Sequence, residues 1–113
     1  MIEEILINFL NYHMSAPAFT DKPKESIPDE YYVFEKTGGD TSEHINTSTI
    51  AMQAYAPSRY KASKLIEDVN AAMLYELIKL DEIADVKISG SGSFTDTTTK
   101  EYRYQTVFVI THY

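Results

Sequence analysis

The stretch at residues 44–80, HINTSTIAMQAYAPSRYKASKLIEDVNAAMLYELIKL, decides the fold because its hydrophobic period changes partway along. Apolar and polar side chains alternate up to Tyr55, which predicts a long strand from about His44 to Tyr55. One face of this strand would carry Ile50, Met52 and Ala54, and the other Thr47, Thr49, Ala51, Gln53 and Tyr55.

After Pro57 the hydrophobic period becomes helical, and Ser58 is the predicted N-cap of a helix over residues 58–80. Its apolar stripe consists of Ala62, Leu65, Ile66, Val69, Ala72, Met73, Leu77 and Leu80. A helix with one apolar stripe buries it against a sheet. We therefore expect Leu65, Ile66, Val69 and Met73 to pack against Ile50, Met52, Phe108 and Ile110.

Upstream of the long strand, the pattern predicts a helix, a connection and a second strand. Residues 2–13 have apolar side chains at helical spacing, and Pro17 ends that helix. Residues 17–29 are polar and proline-rich, with a possible short strand at 18–20. A strand at 31–36 then leads into Thr37-Gly38-Gly39-Asp40-Thr41-Ser42, the clearest predicted turn, so the strands on either side should form an antiparallel hairpin.

Downstream of the long helix, two extended segments close the chain. Residues 83–90 have the spacing of a strand, and residues 101–112 alternate strictly. The intervening segment, rich in glycine and hydroxyl residues, is a loop or a frayed extension of both strands. The element order α-(β)-β-β-α-β-β predicts one α+β domain over residues 1–113: a single, mainly antiparallel sheet with two amphipathic helices packed on one face.

The amino-acid composition excludes several classes of function. The 113-residue chain carries 10 Lys and Arg against 17 Asp and Glu, a net charge of -7, which disfavours general nucleic-acid binding. It has no cysteine, which excludes disulfides and thiolate metal sites. Without a basic leader or a long apolar run, we expect a soluble intracellular protein that does not bind membranes.

No motif predicts catalysis. His13, His44 and His112 lie on different elements without metal-ligand spacing. The glycine pairs match no phosphate-binding fingerprint, and no G-x-S-x-G serine turn is present. We therefore expect a protein that is not an enzyme and takes neither a metal nor another cofactor.

The charges of helix 58–80 oppose its dipole. Arg59, Lys61 and Lys64 lie in its first turns, and Glu76, Asp81 and Glu82 lie near its end. One interpretation is that these charges are simply solvated. Alternatively, the basic end meets an acidic surface of a neighbouring subunit in a head-to-tail contact.

Nine tyrosines, mostly on or beside the strands, allow two interpretations. They can cap the edge of the core with their hydroxyls in water, or they can lie in a protein interface. The strands are apolar on both faces. Since two helices cover one face of the sheet, a partner would cover part of the other.

Four stretches carry a family resemblance: MIEEIL at 1–6, YYVFEKTG at 31–38, HINTSTIAMQAYA at 44–56 and FTDTTTKEYRYQ at 94–105. With the size, acidity and element order, they resemble the small tail-terminator proteins of long-tailed bacteriophages and prophages, also called tail-completion, head–tail joining or minor capsid proteins. Neighbouring head–tail connector families share part of the pattern. The Asp-Thr run leading into Arg-Tyr on the last strand is the most characteristic feature.

The resemblance implies a structural function in the virion. Such proteins form a ring, usually a hexamer, on the head-proximal end of the tail tube, where it stops tube growth and docks to the filled head. The implied partners are copies of the chain itself, the major tail tube protein and head–tail connector proteins. The candidate interface residues are Arg59, Lys61, Lys64, Phe94, Thr95, Asp96 and Arg103.

The physics of a ring adds two expectations. An acidic lumen would repel passing DNA. Segments 37–43 and 89–100 should be mobile in the isolated protein and order on assembly. The alternative function is a small-ligand or peptide-binding α+β module, whereas a small hydrolase or transferase is disfavoured by the missing motifs.

Overall fold

The computed structural model describes residues 2–96 and 101–113, which form two α-helices and five strands. In chain order these are α1 (Ile2–His13), β1 (Ala18–Phe19), β2 (Tyr31–Ser42), β3 (Ile45–Ala56), α2 (Arg59–Tyr75), a 3₁₀ turn (Leu77–Lys79), β4 (Ile83–Asp96) and β5 (Glu101–His112). The predicted element order and the α+β class are confirmed.

The strands of the described residues lie side by side in the order β1-β2-β3-β5-β4. The short β1 is parallel to β2, and the pairs β2–β3, β3–β5 and β4–β5 are antiparallel. The sheet is therefore mixed but mainly antiparallel, as predicted. Because direction alternates from β2 to β4, these two strands run in opposite directions.

Both helices pack on the same face of the sheet, here called the helix-covered face. Leu6 and Leu10 of α1 and Val69 and Met73 of α2 are fully buried in one apolar cluster. The sheet side chains of that cluster include Phe34, Ile50, Met52, Ala54, Phe108 and Ile110. Leu65 and Ile66 are buried in the same cluster, so the predicted packing of helix on sheet is confirmed.

The predicted turn at 37–42 is wrong. β2 continues through this segment to Ser42 and pairs with β3 as far as Ile45. The hairpin instead turns at Glu43 and His44, whose φ angles are 50° and 69°. Positive φ at both central residues is typical of a type I′ hairpin turn, whose twist matches that of its strands.

The Gly38-Gly39 pair lies within β2, beside a register shift between Lys36 and Gly38. A Cβ atom at Gly39 would lie 3.0 Å from Cε of Lys36 and 3.3 Å from the carbonyl oxygen of Thr47. The glycine therefore permits close packing at a bulge rather than a chain reversal.

Helix α2 begins as predicted and ends earlier than predicted. The Ser58 Oγ accepts a hydrogen bond from the backbone N–H of Lys61, which confirms the N-cap. The α-helix ends at Tyr75, and the chain then tightens into the 3₁₀ turn. Leu77 is fully buried at that turn. The apolar stripe therefore continues beyond the end of the α-helix, which is why the stripe predicted too long a helix.

Replacing Ser58 with Ala should lower the free energy of unfolding by about 1 kcal/mol, since it removes the acceptor for a helix N–H. Ser58→Asp retains a capping oxygen and is the matched control, expected to stay near the parent. Urea denaturation followed by circular dichroism measures both. Equal stability of Ser58→Ala and Ser58→Asp would contradict a contribution from the cap.

The first strand of the last hairpin is longer than predicted. β4 runs from Ile83 to Asp96 instead of ending near residue 90, and it pairs with β5 through Asp96 and Glu101. Segment 89–96 is therefore an extension of the strand, one of the two interpretations left open. The rest of the predicted loop, residues 97–100, lies outside the described residues.

Candidate interaction surfaces

The basic start of α2 is exposed. Arg59, Lys61 and Lys64 all lie on the surface, and no acidic residue occupies the first turn. The guanidinium of Arg59 lies over the Tyr102 ring, 5.8 Å from its centroid. Among the described residues, neither Lys61 nor Lys64 joins an ion pair, so their charge is not neutralised within this part of the subunit.

The remaining predicted interface residues lie at the same end of the sheet. Phe94 is opposite Arg103 in the β4–β5 ladder, followed by Thr95 opposite Tyr102. Asp96 is opposite Glu101 at the end of the described ladder. This end lies next to the start of α2 because Tyr102 is also opposite Ala56, the last residue of β3.

The predicted residues do not share one face of the sheet. Arg59 contacts Tyr102, which packs with the core on the helix-covered face. Arg103 is the next residue in β5 and lies opposite Tyr55, on the other face. The candidate interface residues therefore lie at one end of the sheet but on different faces.

The face opposite the helices, here called the open face, is closed at one corner by the chain itself. The rings of Tyr31 and Tyr55 stack with centroids 4.8 Å apart and planes inclined by 8°. Phe19 meets Tyr31 edge-on at 6.2 Å, and the ammonium of Lys22 lies 5.2 Å from the centroid of Tyr55. These tyrosines are therefore packed side chains rather than a free interface.

The centre of the open face carries apolar side chains that no described helix covers. Ala51 lies opposite Val107, and Thr49 lies opposite Val109. Ala51 is buried, and both valines are half-buried. This is the part of the sheet that can bury further area against another molecule.

One buried polar pair is not apparent from the sequence. Oγ of Ser48 and Nε2 of His112 are hydrogen-bonded at 2.8 Å, and the two residues are only 1% and 7% exposed. They lie beside an open groove of about 550 Å³ near the tip of the β2–β3 hairpin, which Lys36 and Asp40 also line. The residues are 64 positions apart, so only the register of β3 on β5 could have revealed the pair.

The Ser48–His112 pair has a structural role in this arrangement. A serine nucleophile needs access to a substrate and a base held in position by a third group. Ser48 is almost fully buried, so its hydroxyl does not have this access. The hydrogen bond satisfies two buried polar groups at the end of the core.

Burial lowers the pKa of His112 below its usual value, and the charge of Lys36 acts in the same direction. A backbone hydrogen bond at Tyr113 and the charge of Glu3 act against it without reversing the shift. The unfolded chain therefore binds more protons than the folded protein at pH values between the lowered pKa and about 6.5. Lowering the pH through this window should destabilise the fold.

We expect the thermal midpoint to fall as the pH is lowered from neutral to about 5, and to fall less in the His112→Gln variant. Glutamine can still hydrogen-bond to Ser48 but has no proton to gain in this range. His13→Gln, in the exposed last turn of α1, is the matched control and should retain the pH dependence. Parallel pH profiles of the parent and His112→Gln would contradict the assignment.

A second groove lies beside α1. It has a volume of about 560 Å³, and its apolar lining includes Ile5, Phe9, Tyr12 and Leu80, with Glu82 at its polar side. Tyr12 is 84% exposed and meets His13 edge-on, with ring centroids 5.0 Å apart. The groove could accept a small apolar group.

Comparison with protein-family models and with curated proteins finds no match to the chain. No helix among residues 2–96 and 101–113 is long and apolar enough to cross a membrane. The assignment of function therefore rests on the sequence resemblance and on the surfaces described above.

Proposed function

We propose that the chain is a structural assembly protein of a long-tailed bacteriophage or prophage. In this proposal it is a tail terminator that caps the tail tube as a ring and forms the surface on which the head docks. Two kinds of support converge. The four resembling stretches lie at intervals between residues 1 and 105, and the α+β fold is of the class that the resemblance implies.

The observation that carries the proposal is the exposed basic start of α2. Three cations occupy the helix end where the dipole favours anions, a cost of a few tenths of a kcal/mol each. An acidic surface on a neighbouring subunit would offset this cost. A ring requires this kind of heterologous contact, in which two different patches of one subunit meet two neighbours.

The proposed partners and location follow from the same function. Copies of the chain form a ring, hexameric by the resemblance, at the head–tail interface of the virion. One side of the ring contacts the major tail tube protein, and the other contacts head–tail connector proteins. The net charge of -7 would disfavour binding of the DNA that passes through.

The direct test uses the tail tube protein encoded in the same genome. Its polymerisation is followed by electron microscopy with and without the purified chain, and filled heads are added afterwards. We expect shorter tubes that carry a ring at one end and then join heads. Tubes that grow and join heads as they do with an unrelated acidic protein of similar mass would refute the proposal.

The groove beside α1 favours a second candidate function, a small-ligand or peptide-binding module. Ile5, Phe9 and Leu80 offer apolar surface, and Tyr12 and Glu82 offer polar atoms to orient a ligand. A fragment screen by NMR distinguishes the two functions. Chemical-shift changes confined to this groove, together with no effect on tail tubes, would favour the binding module.

A further inference from the structure

The outer edge of β4 is a long row of backbone groups without a partner strand. β4 lies last in the sheet order, and among the described residues it pairs with β5 alone. The side chains of residues 87–91 are exposed along it. Among the described residues, one residue of this strand makes a backbone hydrogen bond outside the strand ladders. The N–H of Ile83 donates to the carbonyl oxygen of Leu80.

The opposite edge of the sheet is also largely open. Within the described residues, β1 pairs with β2 at Tyr32 and Val33 alone. Residues 34–42 of β2 therefore form the rest of that edge, and the side chains of 35–37 and 39–42 are exposed. Natural proteins usually protect such edges, because an unpaired edge is a template for pairing with another chain.

The two open edges match in direction and in level. β2 and β4 run in opposite directions, so placing β4 of one copy beside β2 of the next continues the antiparallel alternation. Cross-strand rows of the sheet place Ser91 level with Phe34, and Ile83 level with Thr41. The open segments 83–91 and 34–42 therefore span the same height of the sheet. Because Gly92 and Ser93 lie in the rows of Val33 and Tyr32, where β1 occupies the edge of β2, β4 pairs with β2 displaced toward Ser42.

β4 is weakly protected against such pairing where the two edges are level. Residues 88–93 contain neither a charge nor a proline. A Cβ atom built on Gly90 would meet no other heavy atom within 4 Å. Because a Cβ points away from the plane of a sheet, the open face is uncovered at Gly90, and a side chain can be introduced there.

The match of the two edges in direction favours a second copy of the chain as the occupant. Both edges carry charges of both signs: β4 carries the ion pair of Lys87 and Asp85, 3.7 Å apart, and β2 offers Glu35, Lys36 and Asp40. Segment 20–30 leads into β2 at the end of the sheet where α2 begins. It is acidic on balance, with two lysines, Lys22 and Lys24, against four acidic residues, Asp21, Glu25, Asp29 and Glu30. In a continued sheet, this segment of the next copy lies near the basic start of α2.

We infer that β4 of one copy pairs antiparallel with β2 of the next copy, so that one sheet continues from subunit to subunit. The contact joins two different edges and is therefore heterologous, as a ring requires. This inference deepens the proposed function by naming its subunit contact. It does not depend on what the ring caps.

Disulfide trapping can test the pairing cleanly because the chain has no cysteine of its own. Gly90→Cys is combined in turn with Glu35→Cys, Gly38→Cys, Asp40→Cys or Ser42→Cys. All five positions lie on the open face of the sheet. Residues opposite each other in a ladder have the Cα separation that a disulfide requires. We expect mild oxidation of at least one double variant to give a ladder of dimers and longer species.

Gly90→Cys with Lys36→Cys is the matched control, because Lys36 lies in the row of Ile50, on the helix-covered face. It should give no ladder, and each single-cysteine variant should form no covalent dimers. Overturning outcomes are the absence of a ladder in all four double variants at high protein concentration, or efficient dimer formation by Gly90→Cys alone. The second result would show β4 pairing with β4.

Failure of this inference is distinguishable from failure of the proposed function. A ladder in a protein that leaves tail tubes unaffected would support the strand pairing and refute the tail terminator. The disulfide test is also made with the protein bound to tail tubes. If the protein caps the tubes but gives no ladder there, the strand pairing alone is refuted.

Discussion

Val69→Asp should unfold the domain. Val69 is fully buried on the inner side of α2, within the cluster that joins both helices to the sheet. A carboxylate there loses its hydration without gaining a partner, and the site also loses its apolar contacts. The expected cost is on the order of 4–5 kcal/mol or more, against a total stability of about 5–15 kcal/mol for a typical domain.

The matched control is Ala71→Asp, which introduces the same charge into the same helix at an exposed position. It should remain folded, with a change in the free energy of unfolding within about 0.5 kcal/mol. Far-UV circular dichroism and thermal melting measure both variants. A cooperative Val69→Asp transition at the midpoint of Ala71→Asp would mean that α2 does not pack on the sheet as described.

The elements that local sequence could predict are those whose periodicity and tertiary environment agree. β3 alternates because one face is covered by helices and the other is not. α2 has its stripe because it lies on that covered face, and Ser58 caps it through a contact only three residues away. In these segments the local pattern and the packing impose the same structure.

The hairpin turn shows where local reasoning failed. Gly38-Gly39 has the composition of a turn, but continued pairing with β3 keeps this segment extended. The actual turn places Glu43 and His44 at positive φ, which costs free energy for residues with a side chain. The pairing of β2 with β3 up to the turn stabilises that conformation. Neither Glu43 nor His44 is a residue type that predicts a turn.

The candidate surfaces were predictable in part for a related reason. The charge order of α2 is readable along the chain, so Arg59, Lys61 and Lys64 are candidates from the sequence alone. The separation of Arg59 from Arg103 depends on which face each β5 residue occupies, and the Ser48–His112 bond depends on the register of β3 on β5. Both require long-range pairing, which periodicity within a single segment does not specify.

The triple variant Arg59→Glu, Lys61→Glu, Lys64→Glu should remain folded and fail to assemble. The reversed charges suit the helix dipole, whereas loss of the Arg59 contact with Tyr102 costs about 0.5–1 kcal/mol, so the two effects nearly cancel in the subunit. At the interface, three attractions become repulsions. Each exposed pair contributes less than about 1 kcal/mol, but reversing all three at every contact of a ring multiplies the effect.

Tail length and head joining, scored with purified tubes at several salt concentrations, measure this loss. The defect should be greatest at low salt, where repulsion is least screened. Lys61→Glu, Lys64→Glu is compared with the variant Lys79→Glu, Ser15→Glu, Ala71→Asp, which changes the net charge equally at exposed sites outside the proposed contacts. Only the first pair should impair capping, because a general effect of acidity would impair both. If the triple variant stops tail growth and joins heads like the parent at every salt concentration, the start of α2 is not an interface, and its inverted charges are simply solvated.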